Sequence, residues 1–230
     1  MGVDSTSVVC PVLPGEGGST PTSTLHFMRC GLSSVSGFVR GHHYSHTHPG
    51  GIDYCFAITE GQRILGACMF GYIAGNPKAM CVCKGIDEPA KYRELMRLVL
   101  LDEVPKNSES KFIGYCLRWL KKNTEIVALV SFADPKFGHV GTVYQATNWI
   151  YTGIQKQDRD RLILKREDLF GSFEKEIHPK TAYNRNGSSS ASALGDIRTE
   201  ARQPKHRYVY LLRGGLQLKY TAHSYVKKGL

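Results

Sequence analysis

"SFADPKFGHVGTVYQATNWIYTG", Ser131 to Gly153, is the stretch on which the fold turns. It completes the apolar run "EIVALVSFA" (125–133), which lacks the alternation of a half-exposed strand. An unbroken run of that length predicts a central strand buried on both faces. Asp134 closes the run, and Pro135 biases it toward an extended exit. A carboxylate at the C-terminal end of a central strand is well placed to take a proton from a substrate amine. "GTVYQATNW" predicts a short helix and "IYTGIQK" the strand after it.

Upstream, "SESKFIGYCLRWLKKN" (108–123) has the periodicity of an amphipathic helix. Phe112, Cys116, Trp119 and Leu120 form one apolar stripe, widened by Ile113 and Leu117. Ser108 or Ser110 is expected to cap its start, and Lys121 and Lys122 suit its C-terminal dipole. "YCFAITEGQRILGACMFGYI" predicts two strands around a tight turn at Glu60–Gln62. "ELMRLVLLDEV" is a third strand ended by Pro105. "RLILKRE" and "KHRYVYLLR" are later strands, and ordered structure should begin near "LHFMRC". This order predicts an α+β fold, an α/β mixed sheet with flanking helices. Residues 1–24, rich in Gly, Pro, Ser and Thr, are expected to be a loose arm. Residues 25–230 then form a single domain, with an insertion or hairpin at about 171–203 that carries "GSSSASALGD".

With 41% hydrophobic residues the chain can bury a substantial core. No apolar run reaches the roughly 18 residues that span a bilayer. The N-terminus lacks the basic and apolar regions of a signal peptide, so the expected location is the cytoplasm and no membrane partner is expected. Seven scattered cysteines fit no zinc spacing, and Cys55, Cys68 and Cys116 read as core thiols. Thirty Lys/Arg against twenty Asp/Glu leave a net charge of +10. The excess is uneven: from Asp196 onward there are eight Lys/Arg and two acids. Such a surface favours a polyanion such as nucleic acid. Lys180, Arg185, Arg198, Arg202, Lys205 and Arg207, interleaved with polar residues, are the expected phosphate contacts.

A second notable stretch is "HHYSHTHPGG", His42 to Gly51. Its histidines could hold a metal, serve a metal-free site or sit in a solvated turn. A metal needs three or more convergent ligands, which one loop rarely supplies. His43 and His139 are the possible ligands, with iron the metal considered.

The segment from the long helix to Gly153 resembles the acyltransferase fold of the GCN5-related N-acetyltransferases. "YQATNWIYTG" is similar to their Tyr-x-x-x-Gly-Phe module, with Asn148–Trp149 in place of Gly-Phe. A longer series is more specific. "HYS…PGG", "RLVL", "SxSKFIGxxLRWLKK", "VSFADPxxGHVGTVYQATNWIYTG", "HPKT" and "PKHRYVY" occur in that order. Together they resemble the Mom family of phage DNA-modification proteins over roughly Gly41 to Leu212. The resemblance implies conversion of adenine in DNA to N6-carbamoylmethyladenine, which shields phage DNA from host restriction. Two other functions stay open: an N-acyltransferase acting on a protein or small-molecule amine, and a DNA-binding module with an inactive transferase fold.

The target amine lies inside the duplex stack, so a flipped-out or single-stranded adenine is expected. Asp134 is the expected proton acceptor, and the resemblance makes Tyr144 the acid for the leaving group. Tyr44, Ser45 and Ser131 complete the expected catalytic group. His43, His139, Gly141, Gln145, Trp149 and Tyr151 are the expected substrate-binding residues, with Gly138 and Gly141 allowing close approach of the loop. Acetyltransferases cradle the coenzyme A pyrophosphate in a Gly-rich loop at the start of the long helix. Here that stretch is "VPKNSESKFIG", with one glycine well inside the helix. Acetyl-CoA is therefore a doubtful donor. Another acyl or aminoacyl group, carried by a nucleic acid or a small molecule, is expected instead.

Overall fold

The structure, a computed structural model, describes residues 6–8, 24–73, 78–155, 161–168, 171–177, 183–184, 187, 197–201 and 203–227. Strands β1 (Thr6–Val8), β2 (Leu25–Cys30), β3 (Ile52–Glu60), β4 (Arg63–Gly71) and β5 (Tyr92–Leu100) pair antiparallel in sequence order. Helix α2 (Ser108–Asn123) then crosses to β6 (Ala128–Ala133), which runs parallel to β5. The short helix α3 (Thr142–Gln145) leads to β7 (Ile150–Gln155), and β11 (Lys205–Leu211) returns between β6 and β7. The result is an eight-stranded mixed sheet in the order β1-β2-β3-β4-β5-β6-β11-β7. Strands β8 (Arg161–Asp168), β9 (Gly171–Ile177) and β10 (Ile197–Glu200) form a separate antiparallel sheet in the order β10-β8-β9.

The chain divides into two compact units. One holds Met1–Phe132, Gly141–Gly153 and Arg207–Leu230; the other holds Ala133–Val140 and Ile154–His206. The segment 171–203, read as an insertion, thus supplies β9 and β10 of the smaller sheet. Of the N-terminal arm, Thr6–Val8 is the edge strand of the larger sheet. The remainder of the arm up to residue 23 lies outside the described residues.

Alternation along the strands places the helices on opposite faces. Cys55 and Ala57 of β3, with Ala67 and Met69 of β4, pack against Val35 and Val39 of α1 (Leu32–His42). The intervening Phe56 meets Tyr115 and Trp119 of α2, and Phe27 meets Phe112 and Tyr115. Each fully buried Phe contributes about 1.5–3 kcal/mol. The mixed sheet with flanking helices is as expected, and α2 occupies the span its periodicity predicts.

Three local readings change. Helix α1 was not foreseen. The start of α2 is capped by neither serine: Asn107, in the left-handed region at φ 66°, is the N-cap, and Ser110 Oγ donates to its carbonyl. Strand β5 ends at Leu100, before Pro105.

Cys55, Cys68 and Cys116 are buried free thiols, as their apolar context predicts. Burial pushes Cys55 up to about 12 and raises Cys116 well above the ordinary thiol range. Only the thiolate reacts readily. Alkylation of native protein at pH 8, mapped by peptide mass spectrometry, is therefore expected to label Cys116 only after denaturation. Among the described residues no helix is long and apolar enough to cross a membrane.

Candidate active site

In the larger unit the site grows from the point where two parallel strands part. Strands β5 and β6 are paired from Tyr92↔Ala128 to Glu94↔Val130, and pairing stops there although both continue. The carbonyl of Leu95 is taken over by the Ser131 hydroxyl, which lies 2.9 Å from it. The same oxygen is 2.7 Å from the hydroxyl of Tyr144 on α3. Ser131 has one proton and a carbonyl cannot donate. With both bonds made, Ser131 donates to Leu95 and Tyr144 donates to Ser131.

Burial raises the pKa of Tyr144 above the usual tyrosine range. The Ser131 hydrogen bond opposes this, while the charges of Cys68, Tyr44 and Glu94 add to it. The phenol therefore keeps its proton at neutral pH and can serve as an acid.

The "HYS" loop joins this region. Its buried His43 ends α1, where its N–H donates to the carbonyl of Val39. Nδ1 of His43 accepts from the backbone N–H of Ser45 at 3.1 Å and lies 2.9 Å from Ser45 Oγ, so the ring proton sits on Nε2. The Tyr44 ring, half exposed, packs on His43 with centroids 4.2 Å apart. Arg97 of β5 donates from Nε to the carbonyl of Thr47 at 3.0 Å and fastens the loop to the sheet. Burial lowers the pKa of Arg97, and the neighbouring charges of Tyr44 and Glu94 raise it. Tyr44, Glu94, Arg97, Ser131 and Tyr144 are thereby gathered in one region. Glu94 and Arg97 were missed in the sequence. The available signal was a pair of opposite charges inside the apolar strand "ELMRLVL". The remaining loop histidines turn toward the backbone: His46 Nδ1 to Arg40 O, and His48 Nδ1 to Pro49 O.

An aromatic core supports Tyr144. Its ring packs 5.2 Å from Trp149 and 5.1 Å from Tyr208, and Tyr208 packs 5.2 Å from Tyr151. Trp149 is fully buried and also contacts Tyr210, so it cannot stack on a base; its indole N–H has no partner among the described residues. Tyr151 is likewise buried. Gln145 donates to Tyr208 Oη and to the carbonyl of Val226, each at 3.0 Å. Gly141, at φ +84°, lies where a Cβ would come within 2.3 Å of the Tyr208 ring. Trp149, Tyr151, Gln145 and Gly141 thus build the support of the site; the buried Trp149 and Tyr151 rings present no open face to substrate. Tyr208 went unnoticed, although Tyr208 and Tyr210 alternate on one face of "HRYVYLL".

The smaller unit holds Asp134 and His139. Asp134 ends β6 and caps the turn Pro135–Phe137: Oδ1 accepts from Lys136 N–H at 3.0 Å, and Oδ2 pairs with Lys205 Nζ at 3.0 Å. His139 is exposed, and its N–H donates to the carbonyl of Asp134. Gly138, at φ +70°, closes this turn with open space around it.

Among the described residues no group of three or more His, Cys, Asp or Glu could hold a metal, and His43 directs Nδ1 to Ser45.

The expected DNA contacts need correction where they are described. Arg207 is buried, donates to Thr152 Oγ1 at 2.8 Å and lies 3.5 Å over the Tyr220 ring, so it cannot reach a phosphate. Arg198 is exposed but forms a two-pronged pair with Glu174. Lys205 is engaged with Asp134. Lys180, Arg185 and Arg202 lie outside the described residues.

At the start of α2, a cavity of about 340 Å³ is lined by Asp102, Lys106, Asn107 and Glu109 among others. Two carboxylates beside one lysine make a poor receptor for a pyrophosphate.

Comparison with known proteins adds the following. A family model described as the Mom protein family matches residues 24–227. The methylcarbamoylase mom of Escherichia phage Mu is 33% identical over 112 residues, 48% of this chain and 46% of that protein. The chain thus spans about half the length of the curated relative it matches. Among solved structures, it is similar to a ribosomal-protein-S5-alanine acetyltransferase from Vibrio fischeri, with 9% identity and a TM-score of 0.45, covering 83% of this chain and 94% of that one. It is also similar to a GNAT family N-acetyltransferase from Escherichia coli solved with CoA, with 11% identity and a TM-score of 0.46, covering 89% and 94%.

Proposed function

This chain belongs to the Mom protein family, and from that membership we propose that it is a phage DNA-modification enzyme, a transferase acting in the host cytoplasm. It converts adenine in DNA to N6-carbamoylmethyladenine and so protects phage DNA from host restriction. The observation that carries this reading is the family match itself, whose span includes Tyr44, Arg97, Ser131, Asp134 and Tyr144.

The chemistry of the target sets the roles. The adenine N6 lone pair is delocalised into the ring, so the amine must be taken out of the stack, oriented and relieved of a proton. The sequence offers Asp134 as the acceptor of that proton; within the smaller unit its carboxylate is engaged by Lys205. Arg97 polarises the carbonyl of the incoming group: N6 bonds to that carbon as its bond to the carrier breaks, and an aminoacetyl group delivered in this way is an isomer of carbamoylmethyl that must then rearrange on N6. Tyr144, held by Ser131 with its proton in place, protonates the group that leaves. Exposed Tyr44 contacts the flipped base.

The donor is an acyl or aminoacyl group other than acetyl-CoA. The cavity at the start of α2, with its two carboxylates, supports this.

Mass spectrometry of nucleosides from cells expressing the chain tests the reading. The expected result is a modified deoxyadenosine, heavier by one carbamoylmethyl group, together with resistance of the DNA to enzymes that cut at adenine-containing sites. An unchanged nucleoside profile with folded protein present would overturn it.

A further inference from the structure

The basic residues of the last strand are occupied by Asp134, Thr152 and Tyr220, yet the chain carries ten excess positive charges. Part of that charge stands elsewhere, among aromatic rings. Arg29 of β2 is opposite Phe56 of β3, and Tyr54 of β3 is opposite Phe70 of β4. Phe56 packs on Trp119, so by alternation Arg29 and Tyr54 also face α2. The Arg29 guanidinium lies 5.2 Å over the Trp119 ring and 6.0 Å over the Tyr54 ring, and those rings are 5.9 Å apart. Just beyond the end of β4, the ring of Tyr72 rests 3.9 Å from the Arg93 guanidinium and is 52% exposed. Arg93 is itself held by Asp53. Arg118, Lys121 and Lys122 are exposed around Trp119 on the last turns of α2. Arg213 donates to the carbonyls of Lys121 and Thr124 and adds a further cation there.

Packing explains part of this arrangement. Lysines and an arginine at a helix C-terminus are favoured by the dipole. It does not explain an exposed tyrosine backed by a guanidinium. Nor does it explain three cations, Arg29, Arg118 and Lys121, that have no carboxylate partner among the described residues. Cations that track a backbone, interleaved with rings that offer a face, are what an unpaired nucleic-acid strand requires. A duplex hides its base faces and could use only the charges.

We propose that Arg29, Tyr54, Tyr72 and Trp119, with Arg118 and Lys121, form a binding surface for single-stranded nucleic acid. Bases stack on Tyr72 and Trp119, and phosphates meet the cations. The inference deepens the reading of the protein as a DNA-modifying enzyme and rests on it. An enzyme that works on an unstacked adenine creates an unpaired strand, which this surface would hold.

The test is fluorescence anisotropy with labelled oligo-dT and oligo-U and with a duplex of equal length, using the full chain. The single strands should bind more tightly than the duplex, and oligo-dT at least as tightly as oligo-U; a clear preference for oligo-U would overturn the assignment of this surface to the unpaired DNA strand. Tyr72→Ala and Trp119→Ala should each weaken single-strand binding about ten-fold. Tyr72→Phe, which keeps the ring, should bind like the parent. Arg118→Ala and Lys121→Ala should each flatten the dependence of log affinity on log salt by about 0.7. The chain has two tryptophans and Trp149 is fully buried, so binding should quench the fluorescence of Trp119.

Equal affinity for single strands and duplex, or parent-like binding by Tyr72→Ala together with an unchanged salt slope in Arg118→Ala, would overturn the inference. Nucleoside analysis of the same variants keeps the two readings apart. Modified adenine with no preference for single strands defeats only the surface. Unmodified DNA from cells making the parent chain defeats the proposed function, even where the oligonucleotides bind.

Discussion

Tyr144→Phe is expected to slow adenine modification by about 10²–10⁴, the usual effect of removing a general acid. The substitution deletes one hydroxyl and keeps the ring between Trp149 and Tyr208. Ser131 retains its bond to the Leu95 carbonyl, so no buried carbonyl is orphaned. The stability cost should therefore be about 0.5–1.5 kcal/mol, that of one hydrogen bond. The variant should fold, bind DNA and fail to modify it. A time course of modified deoxyadenosine by mass spectrometry, beside a thermal melt, separates the two effects. Ser131→Ala is the informative companion. It leaves the phenol in place but removes the group that orients it, and it leaves the Leu95 carbonyl unpaired at a cost of about 1–3 kcal/mol. Its rate should fall less than that of Tyr144→Phe. A Tyr144→Phe protein that modifies DNA at the parent rate would remove Tyr144 from the mechanism.

What the sequence revealed, and what it hid, follows from where each interaction is decided. Helix α2 and the strand before Asp134 were legible because their patterns are local: a 3.6-residue stripe and an unbroken apolar run. Helix α1 was not. "LSSVSGFVRGH" contains three serines and two glycines, poor helix formers, and its stability comes from seating Val35 and Val39 on Cys55, Ala57, Ala67 and Met69. Strand β9, "GSFEKEI", is too polar to announce itself and gains its hydrogen bonds from β8.

At the site the same division holds. Ser131 and Tyr144 could be named because one lies within the apolar central strand and the other on the short helix after it. The fates of Trp149 and Arg207 could not. A tryptophan and an arginine look like ligand-binding residues in any sequence. Here their neighbours, Tyr210 and Tyr220, lie 61 and 13 positions away and have enclosed them. The pairing of Asp134 with Lys205 is equally remote in sequence. Misreading Arg207 as a phosphate contact had this cause. Charge is visible in a sequence, but the partner that neutralises it is not.

Gly141→Ala should be among the most destabilising single substitutions in the larger unit. Two costs combine there. At φ +84° an L side chain is disfavoured by about 1–2 kcal/mol. The new methyl would also lie 2.3, 2.6 and 2.8 Å from Cε2, Cζ and Oη of Tyr208. That ring has little room to retreat, being fully buried between Tyr144 and Tyr151, with its hydroxyl bonded to Gln145. Overpacking of this kind costs about 1–3 kcal/mol more. The sum, about 2–5 kcal/mol, corresponds to a fall in Tm of roughly 5–20 °C for a chain of this size. Activity should fall too, because the Gly141 carbonyl accepts the backbone N–H of Tyr144 at 2.9 Å and sets the first turn of α3. Gly138→Ala is the control. It has a similar backbone, φ +70°, but nothing within 4 Å of a new Cβ. It should incur only the backbone cost of about 1–2 kcal/mol. Thermal melts of the two variants side by side decide the matter. Equal losses would mean that backbone conformation alone requires glycine at 141. A much larger loss at 141 would show that the site needs Tyr208 pressed against this turn, close enough that no side chain fits between them.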